Sequence, residues 1–276
     1  MSQRPPQDRY LFPRHPTEID RLDIQHYALR KALGADYLAP IGAVDRVLDV
    51  GAGNGQWGYD ICTEFPRAMV VGVDLVSGKP GQPAGYRFVR ANLLHGLPFV
   101  DDVFDFVHQR LLASSSIPVT VWGSLVDDLV RVTRVDGWIE LVEVGPWLEP
   151  AGPATRRLFD LSYQLGRLLG LDMLGQVFRT LDDQLRRAGL VDVERREVDV
   201  PVGEWGGVVG SKMAANVLAL FTRLGGQFHT RLGLPSGEFT ELIQAMQGEQ
   251  EQFRSSAPFA VGYGRKAAAP PGRCSG

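Results

Sequence analysis

Residues 47–55 read Val47-Leu48-Asp49-Val50-Gly51-Ala52-Gly53-Asn54-Gly55. An apolar strand runs straight into three glycines at alternate positions. A helical pattern, Gln56 to Phe65, begins at once and stops at Pro66. Glycine at such a junction lets the backbone turn tightly and approach a ligand, leaving the N–H groups of the helix start free to hydrogen-bond it. The spacing separates the ligands that use loops of this kind. A dinucleotide fingerprint wants Gly-x-Gly-x-x-Gly, whereas Gly51, Gly53 and Gly55 sit two apart and position 56 is Gln. Asp49, two residues before the first glycine, would repel a pyrophosphate and suits a cationic amino-acid group instead.

The segments around this loop alternate strand and helix. Ala68–Val73, Tyr86–Ala91, Phe104–His108 and Trp138–Val144 read as short apolar strands, with a helix over Ser124–Thr133. That pattern predicts a parallel sheet covered on both faces. Beyond Pro150 it changes: 154–187, 211–224 and 236–254 are helical in period, and Val191–Val200 and Phe259–Arg265 are the last strands. Charges on alternate positions of the first of these (Asp192, Glu194, Arg196) predict an antiparallel pairing added at the sheet edge. The expected fold is therefore α/β, a mostly parallel seven-stranded sheet with an antiparallel edge strand and helical cap insertions. It forms one domain over 1–266, with a core of about 44–150, 186–201 and 258–266 and a helical cap of 15–38, 151–185 and 203–257. Residues 1–16 read as an extended arm and 267–276 as a disordered tail.

Composition narrows the function. Hydrophobic residues make up 44% and charged residues 22% of the 276-residue chain, ordinary values for a globular protein. A formal net charge of −3 gives no electrostatic case for binding nucleic acid or an anionic membrane. No apolar run approaches the ~20 residues that span a bilayer, and Met1–Arg14 lacks the apolar centre of a signal peptide. The two cysteines, Cys62 and Cys274, make no metal-ligand spacing and no evident disulfide, which fits a reducing cytoplasm.

Candidate site residues follow the strands. Asp74, with Leu75 after it, ends the second strand about twenty residues beyond the glycine loop, where a ribose hydroxyl pair would be met. Asn92 follows the third strand and could accept a hydrogen bond from an adenine amino group, with Leu93 packed on the ring face. His108 and Gln109 end the fourth strand at the carboxyl side of the sheet, where open α/β sheets bind ligands. Gln109 could meet an amino-acid moiety, and His108 either reaches substrate or is hydrogen-bonded within the fold. Glu143 ends the fifth strand; it and His26 are further polar groups expected near the strand tips.

These pieces, in this order over residues 45–145, resemble the class I S-adenosylmethionine-dependent methyltransferases. The resemblance implies a Rossmann-like sheet with S-adenosyl-L-methionine lying across the strand tips. Asp49, Gly51, Gly53, Gly55 and Gln109 would then meet its amino-acid part, Asp74 and Leu75 its ribose, and Asn92 and Leu93 its adenine. Asn92 departs from the Asp common at that position but keeps an acceptor oxygen. Looser motifs extend the likeness to methyltransferases found around secondary metabolism: Glu18 to His26, Gly137 to Leu141, Pro201 to Trp205 with Lys212, and Gly262 to Lys266. The implied reaction is methyl transfer to a small molecule, with His108 and Glu143 the candidate catalytic bases. Apolar side chains of the inserted segment (Trp205, Met213, Leu218, Phe221, Phe228) make a small hydrophobic acceptor the expectation, and a homodimer is left open. A cofactor-binding protein that regulates, or that catalyses cyclisation, is the alternative.

Overall fold

In a computed structural model the described residues are 16–268. The arm expected over 1–16 and the tail expected over 267–276 lie outside them, apart from Pro16, Ala267 and Ala268. The elements run α1 (Pro16–Leu33), β1 (Arg46–Val50), α2 (Gln56–Glu64), β2 (Met69–Asp74), β3 (Tyr86–Arg90), β4 (Phe104–Arg110), α3 (Val119–Val132) and β5 (Thr133–Val144). There follow α4 (Pro153–Leu169), α5 (Gln176–Arg179), α6 (Leu181–Arg187), β6 (Leu190–Pro201), α7 (Gly207–Leu232), α8 (Ser236–Gln252) and β7 (Ser256–Lys266).

The seven strands form one sheet in the order β3-β2-β1-β4-β5-β7-β6. The pairings from β3 to β5 are parallel, and β7 runs antiparallel to both neighbours. The outermost strand, β6, keeps Asp192, Glu194 and Arg196 exposed, charges that blunt an open edge. The chain leaves β1 toward β2 and β3, then returns to lay β4 on the other side of β1. The strand order therefore reverses between β1 and β4, and their carboxyl ends open a crevice there.

Alternation along the strands feeds two cores. Val47, Val70 and Phe106 face α1, α2, α4, α7 and α8 on one side of the sheet. Leu48, Val71 and Val107 face α3, α5 and α6 on the other. The inserted segment between β6 and β7 is a pair of packed helices, and α7 runs well beyond the expected 211–224. Its Gly225 lies so close to Phe239 of α8 that an added Cβ would sit 2.7 Å from the ring. Gly225 thus allows close packing of α7 on α8.

The helical stretch expected over 154–187 is divided in three: Gly170, with φ of 73°, ends α4, Asp172 caps α5 by accepting hydrogen bonds from the N–H groups of Gln176 and Val177 at 2.9 and 2.6 Å, and Thr180 separates α5 from α6. The start of α4 has no capping side chain of its own. Glu249 of α8 serves it, accepting from the N–H groups of Ala154 and Thr155 at 2.9 and 2.8 Å and from the Thr155 hydroxyl at 2.7 Å. A carboxylate there satisfies orphan donors and lies at the positive end of the helix dipole.

Candidate cofactor and acceptor site

Gly51 and Gly53 take left-handed backbone angles, with φ of 72° and 57°, directly after β1. A Cβ on Gly51 would lie 2.6 Å from Leu112 Cδ2, and one on Gly53 would lie 3.3 Å from Leu22 of α1. A side chain is therefore excluded at Gly51 both by backbone angle and by the loop that follows β4. Gly55 also has a positive φ, 85°, and forms the N-cap of α2. Asp74, at the end of β2, accepts a hydrogen bond from the Gly53 N–H at 2.9 Å through Oδ2 and a longer one, 3.4 Å, from Val76 through Oδ1. Its carboxylate therefore shapes the glycine loop and also borders the cavity beyond it.

That cavity opens at the switch point between β1 and β4. One wall is made by Gly51, Gly53 and Asp74, another by Arg110, Leu111 and Leu112 at the end of β4. Helix α1 closes one side with Arg21, Leu22 and Gln25. The far side is mostly apolar, formed by Phe159 and Leu165 of α4, Met173, and Leu220, Phe221 and Leu224 of α7. Three consecutive serines, Ser114 to Ser116, and Ser162 add hydroxyls. The structure thus brings the glycine loop and Asp74 together with side chains from three helices that lie outside the strand–helix core.

Asp49 lies in β1 beside His108 of β4, with Oδ1 3.5 Å from His108 Nδ1. Its Oδ2 is buried without a hydrogen-bond partner among the described residues. Buried carboxylate oxygens are normally satisfied, and Asp49 itself does not line the cavity.

Several expectations are corrected. His108 does not reach the cavity: it is 1% exposed and stacked under Trp57 of α2, with ring centroids 3.8 Å apart. Burial lowers its pKa, against the opposing pull of Asp49, so it stays a neutral core group. Glu143 points to the opposite face of the sheet. Its Oε1 accepts from Gln109 Nε2 at 2.9 Å and from the N–H groups of Leu112 and Ala113 at 2.9 and 3.1 Å. Glu143 therefore anchors the loop after β4, and Gln109 holds it, both outside the cavity lining. Asn92 uses Oδ1 to cap a 3-10 turn over Leu93–His95, accepting from Leu94 N–H at 3.0 Å. Leu93 is 9% exposed in the core beneath α3, and Leu75 is half-buried just past β2; neither lines the cavity.

His26 is likewise buried, held by Asp60 and facing Arg110. Burial first and Arg110 second lower its pKa to about 4, so it too is neutral. His26, Asp36 and Asp60 form a grouping with metal-ligand character. The cation there is Arg30, whose guanidinium lies 3.2 Å from Asp36 and 2.9 Å from Asp60.

Sequence reasoning missed Arg110 and the three serines. Arg110 was within reach: Phe106, His108 and Arg110 alternate along β4, but the strand was read as ending at His108. Nothing in the pattern of the serines marks them, since Ser-rich stretches ordinarily read as loop. Among the looser motifs, Glu140 accepts from the N–H groups of Leu38 and Ala39, both at 2.7 Å, and so pins the linker between α1 and β1.

No family model matches the chain. Among curated proteins it is similar to the secondary metabolism regulator laeA of Aspergillus flavus, 30% identical over 211 residues, which are 71% of this chain and 54% of that one. It is 28% identical over 208 residues to the protein-methionine methyltransferase laeA of Emericella nidulans, covering 71% of this chain and 54% of that protein. The methyltransferase str3 of Strobilurus tenacellus is 34% identical over 135 residues, 48% of this chain and 44% of that one. The chain spans about half the length of the curated relatives it matches. Among solved structures, phosphoethanolamine N-methyltransferase 2 of Haemonchus contortus in complex with S-adenosyl-L-methionine superposes with a TM-score of 0.51 at 15% identity, covering 90% of this chain and 52% of that one. The YcgJ protein of Bacillus subtilis gives 0.50 at 18% identity, covering 92% of this chain and 100% of its own. Likeness at these identities establishes a shared fold.

Proposed function

We infer that this chain, which belongs to the class I S-adenosylmethionine-dependent methyltransferase superfamily, binds S-adenosylmethionine at the tips of β1, β2 and β4 and methylates a small, largely apolar molecule. The observation that carries this reading is a single cavity at the switch point, with the glycine loop and Asp74 on one side and apolar side chains of α4 and α7 on the other. When bound, the cofactor supplies a methyl group on a sulfonium, open to direct displacement by a nucleophile.

The chain's own residues then have distinct tasks. Asp74 offers carboxylate oxygens to a ribose hydroxyl pair. Phe159, Leu165, Leu220, Phe221 and Leu224 exclude water and shape the acceptor site, which supports alignment of nucleophile and methyl. Among the described lining residues there is no His or Glu, and the one carboxylate is Asp74. We therefore place the acceptor among nucleophiles that need no base from the protein. The name of the laeA relative supports a role in secondary metabolism and that of str3 supports methyl transfer, while the word regulator in the former keeps a cofactor-binding regulator as the second reading.

Two measurements test the reading. Calorimetry should give binding of S-adenosylmethionine and S-adenosylhomocysteine and none of NAD; the reverse pattern removes it. Incubation with methyl-labelled cofactor and a metabolite extract should place label in an organic-soluble product. Cofactor binding with no product label in any fraction favours the regulator instead.

A further inference from the structure

Helix α4 meets the cavity with Ser162, Leu165 and Gly166, neighbours on one face of the helix. Glycine is a poor helix former, so one inside α4, a turn before its end, calls for a packing reason. Met173 supplies it. A Cβ on Gly166 would lie 2.0 Å from Met173 Cγ and 2.9 Å from Met173 Cβ, so the missing side chain is the seat on which Met173 rests. Gly166 is buried, whereas Met173 is half-buried and borders the same cavity.

The backbone that carries Met173 is held on both sides. The Leu171 N–H donates to the Gly166 carbonyl at 3.0 Å, and the Asp172 N–H donates to the Ala113 carbonyl at 3.1 Å. The Asp172 carboxylate is committed to the start of α5. Gly175 is pressed against Pro146, where an added Cβ would lie 2.7 Å from Cδ. What can adjust is therefore the side chain. Phe159, Leu165, Leu220, Phe221 and Leu224, which face it across the cavity or flank it, are branched or aromatic. Met173 is the one unbranched apolar side chain among the described lining residues, and its rotatable thioether can fill a gap of irregular shape.

We propose that Met173, seated on Gly166, is the specificity-determining residue that sets how long an apolar acceptor the cavity takes. The proposal rests on the reading of this cavity as a joint cofactor and acceptor site. The acceptor that fits is an uncharged molecule that lays an apolar chain or ring between α4 and α7. Removing Cγ, Sδ and Cε of Met173 leaves the seat over Gly166 open and lengthens that space. Adding a Cβ at position 166 drives Met173 off its seat and into the cavity, which shortens it. The two changes act in opposite directions on one dimension, as a mere loss of packing would not.

The test is a calorimetric series of straight-chain alcohols, from butanol to decanol, added to the chain saturated with S-adenosylhomocysteine. In the wild type, affinity should rise about fourfold for each methylene buried and stop rising at a limiting chain length. Met173→Ala should move that limit up by about two carbons, the room left by the lost atoms. Gly166→Ala should move it down, and Gly166→Ala with Met173→Ala should move it up again from there. Binding of S-adenosylhomocysteine should persist in all three variants. A limit that stays where it was, or shortens, in Met173→Ala with native circular dichroism overturns the proposal, as does a wild-type chain that takes up no alcohol. If Gly166→Ala does not fold, Met173→Ala decides alone. Binding of S-adenosylhomocysteine with an unmoved limit removes this proposal and leaves the cofactor reading standing. No binding of S-adenosylhomocysteine by the wild type removes both.

Discussion

The buried carboxyl of Glu143 accepts three hydrogen bonds through one oxygen, yet its burial outweighs them and raises its pKa from 4.5 to about 7. The folded state therefore holds a proton that the unfolded chain releases near 4.5. Stability from this group is full below that value and is lost as the pH rises through about 7. Glu143→Gln cannot ionise, so the unfolding free energy of wild type minus that of the variant should fall by about 1–3 kcal/mol between pH 5 and pH 8. Urea titrations at a series of pH values measure it, and a flat difference would show that the carboxyl is already ionised in the folded protein. At Asp74 the same scale of reasoning gives a binding prediction. Its Gly53 contact leaves the carboxylate facing the cavity, so Asp74→Ala should weaken S-adenosylhomocysteine binding by about 1.5–3 kcal/mol, the range for hydrogen bonds to a charged group. Lost stability with unchanged affinity would leave Asp74 only as a shaper of the glycine loop.

Among the elements, α4 and α7 decide what fits beside the cofactor. Leu220 is half-buried and borders the cavity, so Leu220→Trp should narrow the acceptor side while leaving the glycine loop and Asp74 as they are. We expect S-adenosylhomocysteine affinity within about twofold of wild type and a loss of methyl transfer to the native acceptor; a parallel loss of both would show that the two sides are not separable. Helix α4 depends on a distant residue for its start, because Glu249 of α8 supplies the cap that Gly152 lacks. Glu249→Ala should lower stability by about 1 kcal/mol or somewhat more, as other N-cap deletions do, read as a shift in denaturant midpoint. The element pattern explains what could be read beforehand. The parallel strands and the glycine loop were legible because both follow from local alternation and spacing. The cap of α4 and the start of α5 were not, because the first depends on Glu249 brought from another helix and the second on a single Asp172.

At the scale of the whole molecule, the site is a chain of contacts rather than a set of strand tips. Helix α1 touches the glycine loop through Leu22 against Gly53 and through Asp23, which accepts from Asn54 at 2.6 Å and from Lys79 at 2.5 Å. The same helix reaches α7 through Arg21, which donates to Asn216 at 2.8 Å. Deleting 205–254, an otherwise natural way to remove the acceptor cover, would therefore also strip α1 of its support and weaken cofactor binding. The sequence could place α1 and α7 as covers but could not show that they bind each other, since that contact joins residues 195 positions apart. Ligand binding stabilises most strongly the parts whose contacts it completes. Hydrogen exchange with S-adenosylhomocysteine should thus slow amides in α1, the glycine loop, residues 111–117 and α7 together. The β6–β7 pair lies at the other end of the strand order from Asp74 and has its own ten-residue ladder, so its exchange should not change. Protection confined to the glycine loop would show α1 and α7 to be passive covers, and protection spread evenly over β6 and β7 would mean that the ligand acts on the fold as a whole.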